Sequence, residues 1–237
     1  ALEANGSGGV FLPQNLSGIA VASTTVLTLA SGVSGSTASL TRADGTQTTT
    51  LFTTPLSSLH TSFAGARYLA FTKPSAALLG DAFLVDTAGT FSRIAGPFYG
   101  LTALASHSGK WVLVSSVQGG EMRMQLVNTA TRETVPLPIA TIVDKCVWTS
   151  DDSTVYCGVP INPSADYAYP DDWYQGAVHF SDRIWKIDVA GRYAQLVLDF
   201  TKETGGSLDA TALALDPFTT MLAFSNKNDS SLWVYQL

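Results

Sequence analysis

The chain is poor in charge. Of its 237 residues, 13 are Lys or Arg and 19 are Asp or Glu, so charged side chains make up 14% and the formal net charge is −6. A typical soluble domain carries roughly 25%. So few cations, scattered along the sequence, argue against a nucleic-acid partner, which needs clustered Lys and Arg. Long apolar runs are lacking too. The nearest candidate, Ile19 to Ala30, is broken by Ser23, Thr24, Thr25 and Thr28, short of the roughly 18–20 residues that cross a bilayer. No membrane span is therefore expected in this segment. Ala1 to Gly9 is polar and Gly-rich and does not read as a signal peptide; residue 1 is not Met, which leaves room for an upstream signal or anchor. Glutamate is limited to Glu3, Glu121, Glu133 and Glu203, and histidine to His60, His107 and His179. No Gly-x-Ser-x-Gly elbow occurs, so nucleophilic catalysis has no visible seat. The histidines and two cysteines do not cluster as zinc ligands do.

What is abundant is small and apolar. Hydrophobic residues make up 46% and aromatics 10%, and the remainder is rich in Ser, Thr, Ala and Gly. That mixture disfavours helix and favours strands joined by turns. A repeat emerges when the strands are aligned. Segments beginning at Ala38, Ala82, Met124, Ile184 and Leu232 each alternate in polarity and then break, the first four at a polar turn. Anchored on Leu40, Leu84, Leu126, Lys186 and Val234, they recur in steps of 44, 42, 60 and 48 residues. Two further apolar segments precede each anchor, as in Thr102-Ala-Leu-Ala followed by Trp111-Val-Leu-Val, and a fourth follows the first four.

This pattern predicts a four-strand unit used five times: an all-β, five-bladed β-propeller forming one domain over 1–237, with blades near 16–54, 57–96, 101–138, 142–200 and 208–237. The last blade lacks a fourth strand, and Gly9-Val-Phe-Leu12 is available to supply it. Residues 8–13 are thus expected to close the ring by pairing onto the final blade, which would protect its edge. A β-sandwich of similar strand content is the alternative; the four-strand period and the spare strand favour the propeller.

Ile184-Trp-Lys-Ile-Asp-Val-Ala-Gly and Ala103-Leu-Ala-Ser-His-Ser-Gly-Lys-Trp resemble the WD-like repeats of TolB-type bacterial propellers. The likeness departs from eukaryotic WD repeats, since Trp185 is followed by Lys186. It implies a bacterial propeller, often periplasmic or secreted, that engages other molecules. It carries over no catalytic residue.

In such a ring the loops after the second and fourth strands of each unit share one face. Here they are the longer ones, including 73–80, 95–100 and an insertion from Pro160 to Asp182. Function concentrates on variable loops held by a rigid scaffold. The insertion alternates Tyr167, Tyr169, Trp173 and Tyr174 with Asp166, Asp171 and Asp172, and aromatic rings offer large, stiff contact surface. The expected ligand-binding residues are therefore Trp173, Tyr174, Tyr169, Tyr167, Asp171 and Asp172, with Phe98 and Tyr99 beside them. Pinning of the insertion onto the blade is the competing role for Trp173 and Tyr174.

No cofactor is expected. Asp166, Asp171, Asp172 and Asp182 could offer calcium some ligands, but their spacing matches no EF-hand loop. A glycosidase would need two facing carboxylates, for which Asp144 and Asp209 near the channel mouth are the candidates. Cys146 and Cys157 flank the Asp151-Asp152 turn symmetrically, which would set them opposite each other within disulfide range; buried thiols are the alternative. A bridge would favour an extracytoplasmic setting. The combined expectation is a monomeric, extracytoplasmic module binding protein, peptide or carbohydrate. A glycoside hydrolase and a structural domain of a larger surface protein are the alternatives.

Overall fold

The computed structural model describes residues 15–237, and the expected closing strand at 8–13 lies outside them. The described chain is almost wholly strand and turn, in four antiparallel sheets. The first holds β1 (Gly18–Ala22), β2 (Thr25–Gly32), β3 (Gly35–Arg42) and β4 (Thr49–Thr54) in sequence order. The second has seven strands: β5 (Leu59–Ala64), β6 (Arg67–Thr72), β7 (Leu79–Val85), β8 (Phe91–Ala105), β9 (Trp111–Gln118), β10 (Glu121–Asn128) and β11 (Thr134–Pro136). The third joins β12 (Cys146–Trp148), β13 (Thr154–Pro160), β14 (Asp182–Asp188) and β15 (Tyr193–Asp199). The last holds β16 (Ala210–Leu215), β17 (Met221–Asn226) and β18 (Leu232–Gln236). Two short helices, α1 (Asp171–Gln175) and α2 (Phe200–Thr204), complete the chain.

The core is distributed between successive strand groups. Leu27, Leu29 and Phe52 pack against Tyr68, Ala70 and Val85. Leu69 and Leu84 then meet Leu101, Val112 and Val114. Leu113 and Leu126 turn to Val155, Cys157 and Ile187, and Ile184 and Leu198 pack on Leu208, Leu222 and Phe224. Adjacent residues of β9 thus serve opposite layers, Leu113 one way and Val112 and Val114 the other, as strand alternation dictates. Such stacking of successive antiparallel strand groups is propeller-like.

Two expectations need correction. The stretch 95–100 is not a loop; β8 runs through it, pairing with β7 on one side from Phe91 to Tyr99 and with β9 on the other from Tyr99 to Ala105. The register shifts around Gly80 to Phe83 and again between Tyr99 and Thr102, and Pro97 is tolerated beside these irregularities because no ladder N–H is demanded of it there. Gly100 sits at φ +60°, where a side chain would strike the Tyr169 carbonyl at 2.9 Å. The second is the insertion, expected as a loop from Pro160 to Asp182, which contains α1.

Candidate functional site

The centre of the insertion rests on a buried ion cluster. A 3-10 turn, Val143–Lys145, leads into β12 and points Lys145 inward. Its side chain is fully enclosed, as are those of Asp182 at the start of β14 and Asp209 just before β16. Lys145 Nζ donates to Asp182 Oδ2 at 2.7 Å and to Asp209 Oδ1. Gly158 on β13 makes room for this, because a Cβ there would lie 3.2 Å from both Asp182 Oδ2 and the Ala210 carbonyl. The ammonium also lies 5.0 Å from the centre of the Trp173 ring and 5.1 Å from that of Phe180. Charge this deep persists only when paired and hydrogen-bonded.

The same carboxylate grips the insertion. Asp209 accepts the Trp173 indole N–H at 3.0 Å and the Phe180 backbone N–H at 3.0 Å. Tyr169, Trp173 and Phe180 close a small core with Ile142. Asp182 Oδ2 takes the Ala210 N–H at 2.7 Å, while its Oδ1 has no partner. Burial pushes Asp182 up to about 6, against the pull of the Lys145 ammonium.

Above this floor, α1 starts with Pro170 at its N-cap and two acids in its first turn, and stops at Gly176, φ 77°. Those carboxylates serve structure: Asp171 accepts the Ala76 N–H at 2.5 Å, across to the 73–80 loop, and Asp172 accepts the Ala168 N–H at 2.7 Å. Asp166 bonds Ser164. Asp182 faces Lys145, so the four acids that might have gathered around a cation are dispersed. Among the described residues no three His, Cys, Asp or Glu side chains converge as a metal site would require.

The expected binding residues separate into two sets. Trp173 and Tyr169 are enclosed, 3% and 2% exposed, and support the insertion from beneath instead of offering a surface. Tyr174, Tyr167 and Tyr99 remain open at 43%, 40% and 46%, with Phe98 half-buried next to Tyr99. The Tyr174 hydroxyl donates to Asp144, whose side chain points away from the buried cluster. Partial burial and the Asp144 charge raise the Tyr174 phenol well above its ordinary range. Asp144 also acts on His60 of β5, which stacks on Phe71 at 5.0 Å; enclosure lowers that imidazole, partly offset by Asp144. Asp209, one of the two carboxylates considered for glycoside cleavage, is sealed beneath Trp173 and out of reach of a substrate.

A cavity of about 430 Å³ opens beside the insertion, between Gly120 to Met122 and Pro160 to Tyr169. That volume falls within the range of small-ligand sites. A concavity of about 490 Å³ lies among the short turns at the other ends of the strands, by Ser108 and Asp151. Its acids are already committed. Hydrogen bonds from Thr149 and Ser153 hold Asp151 down at about 2, and Asp152 accepts from Ser106 and Ser108. The cavity beside the insertion is the better candidate on these grounds.

Cys146 and Cys157 are directly opposed in the β12–β13 ladder and joined by a disulfide, with Cα atoms 4.1 Å apart. Asp182 and Asp209 stood out in the sequence for other roles; Lys145, and its convergence with them, did not. The only signal was a lysine and an aspartate placed just before first strands of neighbouring units.

No family model matches the chain, and no curated protein matches it. Solved structures do. TolB from Acinetobacter baumannii aligns over 95% of this chain and 54% of its own, at 16% identity and a TM-score of 0.55. Oligogalacturonate lyase from Vibrio parahaemolyticus aligns over 94% and 66%, at 9% identity and a TM-score of 0.64. A TolB-like structure from Agrobacterium tumefaciens, described as putative TolB, aligns over 89% and 76%, at 10% identity and 0.58. The chain therefore spans about half the length of the first of these and two thirds of the second. Its fold is that of the TolB-type β-propellers.

Proposed function

We propose that this chain is an extracytoplasmic binding module of a bacterium, a five-bladed propeller that engages a protein, peptide or glycan on the face bearing the insertion. In this reading β8 is shared by two blades, and residues 8–13 close the ring beside β18. The observation that carries the function is the contrast within α1. Trp173 is locked by a buried ion cluster, while the next residue, Tyr174, stays open to solvent. Fixing an exposed aromatic residue in advance lowers the entropy cost of binding. Tyr167, Tyr99, Phe98 and the adjacent cavity extend the surface, and Asp171 and Asp172 hold its geometry. The disulfide supports an oxidising compartment.

Peptide and glycan arrays test this with the monomeric wild type, Tyr174→Ala, Tyr167→Ala, and Lys110→Ala on the opposite face as control. Signals should weaken by about tenfold or more for Tyr174→Ala, the usual loss for a central aromatic contact, and persist for Lys110→Ala. Arrays that stay empty with wild type would leave the domain a structural part of a larger surface protein.

A further inference from the structure

The ion cluster does more than anchor the insertion. Its carboxylates outnumber its one enclosed ammonium, so with both ionised the site holds an uncompensated negative charge on fully buried side chains. Asp209 has three donors in reach, Lys145 Nζ, the Trp173 indole and the Phe180 N–H, with Nδ1 of His179 farther off at 3.9 Å. Asp182 has two, Lys145 and the Ala210 N–H, both on Oδ2, which leaves Oδ1 bare. The excess charge therefore sits most poorly on Asp182. Three different parts of the fold meet here: the turn before β12, the insertion with α1, and the segment before β16. Opening the insertion would let water reach Asp182, because Trp173 and Phe180 form the lid.

We propose that the Lys145–Asp182–Asp209 cluster is a pH-dependent clasp, which holds the 160–182 insertion closed more firmly when Asp182 carries a proton and loosens it when Asp182 ionises. The charged groups facing the cluster are few. Lys227 Nζ lies 5.0 Å from the centre of the Trp173 ring, and His179 is half-exposed beside Asp209. Asp144 does not face the cluster; it bonds Tyr174. The clasp is independent of whether the outer face binds a ligand.

The linkage has a definite sign and size. An acid that titrates at about 6 when enclosed and near 3.9 when open to water favours the closed form at low pH. Between pH 5 and 8 the closing constant should fall about tenfold, with most of the loss below pH 7. Amide hydrogen exchange of 172–180, corrected for intrinsic rates, reads this directly. The expected result is protection about tenfold higher at pH 5 than at pH 8 in wild type. In Asp182→Asn the dependence should be lost. Wild-type protection that is flat across this range, or that rises with pH, would overturn the clasp. So would a full tenfold dependence in Asp182→Asn. Should that variant fail to fold, carboxyl ¹³C titration of the wild type decides: a buried aspartate titrating near 6 supports the clasp, and none above 5 refutes it.

Discussion

Replacing Lys145 with Met should be among the most damaging single changes in this protein. The substitution keeps most of the volume and removes the one cation that two fully enclosed carboxylates share. Removing one partner of a buried ion pair costs about 3–5 kcal/mol, chiefly because the remaining charge is left uncompensated. Asp209 keeps its N–H donors from Trp173 and Phe180; Asp182 keeps only that from Ala210. Asp182 can escape by taking up a proton, so the loss should be smaller in acid, about 2 kcal/mol at pH 5 against about 4 at pH 8. With total stabilities of about 5–15 kcal/mol, the variant should still fold. Urea unfolding at the two pH values, with the slope m checked for constancy, measures it. Adding Asp182→Asn should recover about 1–2 kcal/mol at pH 8, since it removes the excess charge. A loss under about 1 kcal/mol at both pH values would show that water reaches the cluster and that the burial argument is wrong.

Three further outcomes follow from the same geometry. Trp173→Phe keeps the ring over Lys145 but deletes the indole N–H at Asp209, and should cost about 1–3 kcal/mol in the same unfolding assay. Stability of wild type relative to Asp182→Asn should decline by about 2 kcal/mol as pH rises from about 4 to about 7, because the proton bound by enclosed Asp182 is lost through its value near 6. Reduction of the Cys146–Cys157 bridge, or its replacement by a Ser pair, should cost about 2–3 kcal/mol by the chain-entropy relation for a loop this short, read as a lower midpoint with the β12–β13 ladder retained.

Much of the fold was legible because strands announce themselves locally. The alternation in Trp111-Val-Leu-Val and its counterparts marked the inner strands, and the Asp151-Asp152 turn fixed the register that opposes the two cysteines. Pro97 and Gly96 misled, since that dipeptide ordinarily breaks a strand and here lies inside one beside an irregular ladder. α1 left a trace that was readable: Pro170, two acids and Gly176 mark the start and stop of a short helix. Nothing local marks Lys145 as buried. Its partners lie 37 and 64 positions away in sequence, so the cluster exists only once one unit has folded and its neighbour has stacked on it. For the same reason Trp173 and Tyr174, neighbours of similar character in sequence, could not be told apart as floor and surface.

The account rests most heavily on a ring whose two chain ends share the final sheet. Among the described residues that sheet has three strands, with Leu232 and Val234 exposed on β18. A nitroxide attached at Leu12→Cys tests it, since neighbouring strands lie about 5 Å apart. The account predicts that amide signals of Leu232 to Gln236 are broadened away while those of Trp111 to Gln118 survive. Undiminished β18 signals would contradict it.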